Sequence, residues 1–277
     1  MLTRPIPATQ EPLPVIGLGT WQTFDVPNAA AQTGLLETLH TLHASGARVI
    51  DSSPMYGRAE QAVGELTEAL RPELPAAAPF FVATKVWTQG RQAGIAQMEE
   101  SMRRLRRPVL DLLQIHNLLD YQTHLPTLRE WQAAGRVRYL GITHYVDGMH
   151  AELERVLRAE PVEFVQFNYS ILDRHAEQRL LPAAADLGVA TLINRPLTEH
   201  NLLARAAGKP LPPWAADWGI GSWPQFFLKF ILGHPAVTCV IPATRNPAHL
   251  ADNLQAAHGP LPDAATRDKM AALVRAW

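Results

Sequence analysis

Short, almost wholly apolar runs alternate with longer amphipathic stretches along most of this chain. The runs occupy residues 15–19, 48–51, 80–84, 110–115, 137–142, 164–167, 189–193 and 237–241. A strand with one face in water alternates apolar and polar positions. Runs that are apolar along nearly their full length suit strands covered on both faces, as in a parallel sheet. The intervening stretches have helical periodicity and predict helices at about 28–45, 59–70, 91–106, 124–134, 148–159, 176–187, 223–233 and 247–257.

The third of these helices shows the logic. Ile95, Met98, Met102 and Leu105 recur at helical spacing and form its inward face, with both methionines read as core filler. Arg103, Arg104, Arg106 and Arg107 fall largely elsewhere and read as a solvated outer face rather than a nucleic-acid patch. Gly46, Gly135 and Gly188 each sit just past a helix and before a strand, where a left-handed C-cap belongs.

Eight strands alternating with eight helices close most economically into an α/β (β/α)8 TIM barrel. No Pro-, Gly- or Ser-rich linker divides the chain, so residues 1–277 are expected to form one domain. The segment 198–222, with Pro210, Pro212 and Pro213, reads as a long active-site loop.

Bulk composition narrows the partners. The 277 residues are 47% hydrophobic and 18% charged, enough apolar material for a large core. With 25 basic against 26 acidic side chains, the net charge of −1 gives no field that would draw nucleic acid or an anionic membrane. A small neutral partner fits better, and a monomer is expected. The lone Cys239 cannot staple the fold or build a zinc site, so it reads as a buried small hydrophobe, and no metal is expected. No run of apolar residues reaches membrane-spanning length. The N-terminal stretch 1–7 lacks a charged region followed by an apolar one, so the chain as written is expected to be cytoplasmic; a trimmed export signal would leave no trace.

In such a barrel, chemistry gathers at the C-terminal ends of the strands. Those positions here are polar. The second strand ends at Asp51 with Tyr56 in the following loop, and the third at Lys85, followed by Trp87. The fourth ends at His116-Asn117, the fifth at Thr143-His144, and the sixth at Gln166, Asn168 and Ser170.

Five segments carry a family resemblance: Gly17-Leu18-Gly19-Thr20-Trp21, Asp51-Ser52-Ser53-Pro54-Met55-Tyr56-Gly57, Ala83-Thr84-Lys85, Gln114-Ile115-His116-Asn117 and Ile241-Pro242. In this order and at barrel spacing the chain resembles the aldo-keto reductases from about residue 5 to 257. The resemblance implies a catalytic tetrad of Asp51, Tyr56, Lys85 and His116. Elementary chemistry agrees with those residue types. A carbonyl that accepts hydride develops oxyanion charge and needs an aimed proton donor. A free phenol, with a pKa of about 10, is a sluggish acid at neutral pH. The Lys85 ammonium would favour phenolate and make Tyr56 more acidic, while Asp51 keeps Lys85 charged. His116 would orient the carbonyl by a hydrogen bond. Taken singly, Tyr56 could be an anchor, Asp51–Lys85 a structural ion pair and His116 a core histidine; their convergence favours catalysis.

Hydride must come from a cofactor, since no side chain supplies one. The glycines at 17 and 19 do not extend into a Gly-x-Gly-x-x-Gly motif, so a Rossmann site is not indicated. The resemblance implies NADPH, with NADH possible. Gly19, Thr20 and Trp21 would line the cofactor at the first strand end, and Thr143, Gln166 and Asn168 would meet the nicotinamide carboxamide or its ribose. His144 stands where an amide is commoner, and Asn194 where an aromatic stacking residue is usual. Ile241 would also line the cofactor, Thr244, Arg245 and Asn246 would approach the adenosine 2′-phosphate, and Asp252 and Asn253 the adenine. Ala243 and His249 replace basic residues of many relatives, so the phosphate charge rests on Arg245, the residue that argues for NADP.

Trp21, Trp87 and Tyr145 would wall the substrate pocket and favour small apolar or mixed carbonyls. Trp214, Trp218 and Trp223 either join that wall or form the core of the long loop. The reading is an NADP-dependent carbonyl reductase with Tyr56 as proton donor. The alternative is a non-catalytic nicotinamide-nucleotide-sensing barrel subunit that serves a partner protein. A Schiff-base lyase at Lys85 is a third reading, disfavoured because Asp51 holds that amine charged.

Overall fold

A computed structural model of the chain describes residues 1–27, 29–75, 79–197 and 201–277. It opens with an antiparallel hairpin, β1 (Thr3–Pro5) and β2 (Pro12–Pro14). The eight expected strands follow: β3 (Leu18–Gly19), β4 (Val49–Asp51), β5 (Phe81–Val86), β6 (Leu110–His116), β7 (Val137–Thr143), β8 (Phe164–Asn168), β9 (Ala190–Asn194) and β10 (Cys239–Val240). Each pairs in parallel with the next. Bridges from Ile16 to Val240 and from Gly19 to Ala243 join the first strand to the last and close the (β/α)8 barrel.

Strand alternation sorts the apolar side chains into two layers. Phe81 and Ala83 of β5 join Val49, Leu112, Tyr139, Phe164, Leu192 and Cys239 inside the barrel. Val82 and Val86 face the opposite way, toward the helices. Every position of β5 is buried, as its unbroken apolar run requires.

The hairpin escapes a pattern reading because its strands are short and contain Pro5, Pro12 and Pro14. Ile6 and Leu13 are fully buried among the interior side chains, so the hairpin plugs the N-terminal end of the barrel. Access is therefore from the C-terminal end.

Around the barrel lie α1 (Ala29–Ala44), α2 (Ala59–Leu70), α3 (Arg91–Arg104), α4 (Tyr121–Ala133), α5 (His150–Ala159), α6 (Leu180–Asp186), α7 (Leu202–Ala206), α8 (Trp223–Leu232), α9 (Pro247–Gln255) and α10 (Ala264–Arg275). The eight expected helices are all present, although the predicted start of the first, residue 28, lies outside the described residues. Gly46, Gly135 and Gly188 adopt the left-handed conformation expected of helix stops. In α3, Met98 and Met102 are buried, while Arg103 and Arg104 pair with Glu100. Arg106 and Arg107 pair with Glu68 and Asp111.

Two elements correct the sequence reading. The segment 198–222 is not a plain loop: residues 198–200 lie outside the described residues, and the remainder contains α7 and a 3-10 turn at Pro213–Trp218. The helix α10 buries Arg267, Met270, Ala271 and Val274 at helical spacing. A charged residue in that stripe hid its periodicity, and the Arg267 guanidinium is accommodated by Glu177 and Tyr169. Among the described residues no helix is long and apolar enough to cross a membrane.

Candidate active site

The ends of β4, β5, β6 and β8 bring one buried polar group together. Lys85, with its side chain fully buried, donates to Asp51 Oδ2 at 2.6 Å and to the Ser52 carbonyl at 2.7 Å. The other carboxylate oxygen of Asp51 accepts from Gln114 Nε2 at 3.1 Å and Gln166 Nε2 at 2.9 Å. Register explains the meeting: Lys85 is level with Gln114, and Asp51 with Ala83, on adjacent parallel strands.

Tyr56 follows a tight turn in which its N–H donates to the Ser53 carbonyl at 3.0 Å. Its ring is half-buried and lies 5.2 Å from Lys85 Nζ, and the phenol and ammonium share a side-chain hydrogen bond. The His116 ring meets the Tyr56 ring edge-on at 6.0 Å, and its Nδ1 lies 3.2 Å from Ser53 Oγ. Trp87 packs 6.3 Å from His116. The four predicted catalytic groups thus converge.

Their proton affinities follow from burial and neighbours. Burial raises the Tyr56 phenol above its ordinary value; the Lys85 charge and hydrogen bond pull it down but do not win. The sequence-based expectation of a more acidic phenol is corrected in that respect. Burial lowers Lys85, yet Asp51 and Tyr56 more than offset this and hold the ammonium above its usual range. His116, buried and near the Lys85 charge, is pushed down to about 2 and is neutral at physiological pH.

A second layer stands beside this group. Thr143 Oγ1 donates to Gln166 Oε1 at 3.3 Å, and Asn194 Nδ2 approaches the same oxygen at 3.4 Å. Asn194 Oδ1 and Asn117 Oδ1 are buried with no hydrogen-bond partner among the described residues. Such orphaned acceptors at a barrel mouth suit a ligand that brings N–H or O–H donors. Thr20 Oγ1 lies 3.0 Å from both the Asp51 carbonyl and Ser52 Oγ, within the same shell. At Gly19 an added Cβ would stand 2.9 Å from the Ile241 carbonyl, so the first and last strands approach too closely for any side chain there.

Trp21, Trp87 and Tyr145 are 45%, 39% and 44% exposed, far more than the apolar core, and follow the ends of β3, β5 and β7. Tyr145 stacks on His144, and the Arg195 guanidinium lies 5.2 Å from the Tyr145 ring centroid. Arg195, Asn117 and Leu118 have φ values of +52° to +55°, so the chain just past β6 and β9 takes a conformation that non-glycine residues seldom adopt.

Other expected positions are engaged elsewhere. Asn168 donates to Asp147 and Asp173 and faces His150. Asp252 accepts from Ser222 Oγ and Gln225 Nε2, which ties α9 to the start of α8. Asn253 is buried. At the start of α9, Asn246 Oδ1 accepts from Ala248 N, Thr244 Oγ1 accepts from Asn246 N, and Arg245 is exposed beside them. Trp214 and Trp223 pack on Phe226, and Trp223 also meets Trp277 at 4.8 Å. With the partly buried Trp218 they form the core of the 201–223 segment rather than the pocket wall.

Gln114 and Ser53 were legible only as motif members; their roles beside Asp51 and His116 were missed. One signal was available for Gln114. It precedes His116 by two residues on one strand, so both point to the same face.

A closed (β/α)8 barrel whose strand ends gather a carboxylate, a phenol, an ammonium and an imidazole defines a class. The Aldo/keto reductase family model matches residues 15–272, and the chain belongs to that family. It is 25% identical over 194 residues to the aldo-keto reductase YhdN of Bacillus subtilis, which covers 64% of this chain and 56% of that protein. It is 28% identical over 243 residues to an NADH-specific methylglyoxal reductase of Escherichia coli, covering 76% and 72% of the two chains. A crystal structure of an aldo-keto reductase from Klebsiella pneumoniae in complex with NADPH superposes with a TM-score of 0.82 at 24% identity, covering 99% of this chain and 96% of that one.

Proposed function

We propose that this protein reduces small aldehydes or ketones to alcohols with NADPH, Tyr56 delivering the proton. The observation that carries the reading is the meeting of Tyr56, Lys85, Asp51 and His116 at the open end of the barrel. When bound, the nicotinamide would supply the hydride. The NADPH complex of the Klebsiella pneumoniae relative supports that cofactor. So do the unpaired Asn194 oxygen, which suits a carboxamide N–H, and the start of α9 beside Arg245, which suits a phosphate.

The chain's own groups divide the work. Tyr56 stays protonated at neutral pH and presents its O–H to the carbonyl oxygen. As that proton leaves, Lys85 stabilises the phenolate through charge and hydrogen bond. Asp51 keeps Lys85 charged in a site that would otherwise neutralise it. Neutral His116 uses one ring nitrogen on Ser53 and has the other for the substrate oxygen. The rim of Trp21, Trp87 and Tyr145 excludes water and favours compact apolar or mixed carbonyls, dicarbonyls among them.

The test is NADPH oxidation followed at the nicotinamide absorbance with a panel of aldehydes, dicarbonyls and quinones. Wild type should turn over, and Tyr56→Phe should lose about 10²- to 10⁴-fold while binding NADPH normally. Equal rates in the two proteins would remove Tyr56 from its role. NADPH binding without turnover in wild type would favour the nucleotide-sensing alternative.

A further inference from the structure

We propose that His150 and His175 form a two-imidazole clamp for a divalent transition-metal ion, of which zinc and copper are the nearest chemical fits. His150 is the first residue of α5 and is buried; His175 lies in the turn after β8 and is exposed. Their Nδ1 atoms face one another at 3.2 Å. Two imidazole nitrogens bound at about 2.0–2.1 Å to one tetrahedral zinc stand roughly 3.3 Å apart. The bite is already set.

The tautomer of His150 is set as well. Asn168 directs one end of its amide at the carboxylates of Asp147 and Asp173, so that end is the NH2. Its oxygen therefore faces His150 Nε2 at 3.0 Å, and Nε2 must carry the proton. That leaves a lone pair on Nδ1, aimed at His175. A ligating histidine whose other nitrogen donates to an oxygen acceptor is the usual outer-shell arrangement of metal sites. On metal binding, His175 need only move its proton from Nδ1 to Nε2.

Beside the pair is a cavity of about 40 Å³, lined by both histidines, Gln178, and Glu154 with Arg179, which pair with each other at 2.8 Å. It has room for an ion's waters, which need about 10–15 Å³ each. Among the described residues no third histidine, cysteine or carboxylate completes a set. The remaining positions fall to water, and the affinity is accordingly modest.

The test uses tag-free, chelator-stripped protein titrated calorimetrically with Zn²⁺, and Cu²⁺ paramagnetic resonance on the same material. We expect one micromolar site and a copper spectrum with coupling to two imidazole nitrogens. His175→Ala, at an exposed position, removes one of the two protein ligands and should weaken zinc binding by more than about 10-fold, the loss that even an outer-shell partner causes, while His40→Ala on the exposed face of α1 should not. Unchanged zinc affinity in His175→Ala, or a copper spectrum with fewer than two nitrogens, would overturn the proposal, as would no binding below millimolar zinc. Because the copper readout uses wild-type protein, it stands even if a variant folds poorly.

Discussion

Gln166, at the end of β8, donates through Nε2 to Asp51 Oδ1 at 2.9 Å across 115 positions of sequence. The two residues lie on strands that are not neighbours, so this bond spans the barrel mouth. It holds one carboxylate oxygen still while the other serves Lys85. The oxygen of the same amide meets Thr143 and Asn194. A single side chain thus links the Asp51–Lys85 pair to the surface proposed to carry the cofactor.

The Asp51–Lys85 ion pair is also a stability statement. Removing one partner of a buried pair leaves an uncompensated charge and costs about 3–5 kcal/mol. Asp51→Asn strands the fully buried Lys85 ammonium. We expect a loss of that size in urea denaturation, together with loss of turnover; a variant as stable as wild type would show that Lys85 is not charged there.

Burial lifts the Tyr56 pKa, and an acid with a raised pKa keeps its proton to higher pH. The rate of carbonyl reduction should therefore be level through neutral pH and fall only above the ordinary tyrosine value of about 10. His116 is already neutral and contributes no limb between pH 5 and 8. A descending limb centred near neutrality would contradict this ordering.

Arg245 stands exposed at the start of α9, next to the N-cap Asn246. A charge-assisted hydrogen bond contributes about 1.5–3 kcal/mol, roughly 10- to 150-fold in binding. Arg245→Ala should raise the NADPH KM by that order and leave the NADH KM unchanged. Equal effects on both cofactors would place the guanidinium away from the 2′-phosphate.

Buried His116 and partly buried His234 should make the fold acid-sensitive. Burial holds His234 at about 4 and His116 at about 2, against 6.5 in the unfolded chain. As pH falls below 6.5 the unfolded state takes up protons first, so stability is lost on acidification. Unfolding free energy should be lower at pH 5 than at pH 7.5 by roughly 2 kcal/mol from His116 alone, at about 1.4 kcal/mol per pKa unit. A flat profile would mean that one or both rings accept protons while folded.

Gly64 in α2 packs against the end of α3, where an added Cβ would fall 2.1 Å from the Arg104 carbonyl oxygen. Replacing glycine by alanine within a helix ordinarily gains about 1 kcal/mol. Overpacking costs about 1–3 kcal/mol, and here the obstacle is backbone. We expect Gly64→Ala to lower the melting temperature despite the better helix former.

Most of the barrel was legible because its strands are buried on both faces and its helices on one. Those two constraints write different periods into the chain, and each run from 48–51 to 237–241 carries its own. The hairpin was illegible because three prolines erase the alternation of its strands, and α10 because its buried stripe includes Arg267, whose partners Phe230, Glu177 and Tyr169 are 37, 90 and 98 positions away. The four residues proposed as catalytic could be named from motifs, yet no local pattern could show that burial outweighs Lys85 at the Tyr56 phenol. That balance depends on how many atoms surround the ring, a sum over distant segments. The same holds for Asn168, which motif order assigns to the cofactor and packing commits to Asp147, Asp173 and His150. Residue types and periods are local properties, so the chain states them directly. Proton affinities and side-chain partners are set by whatever the closed barrel brings within a few ångströms.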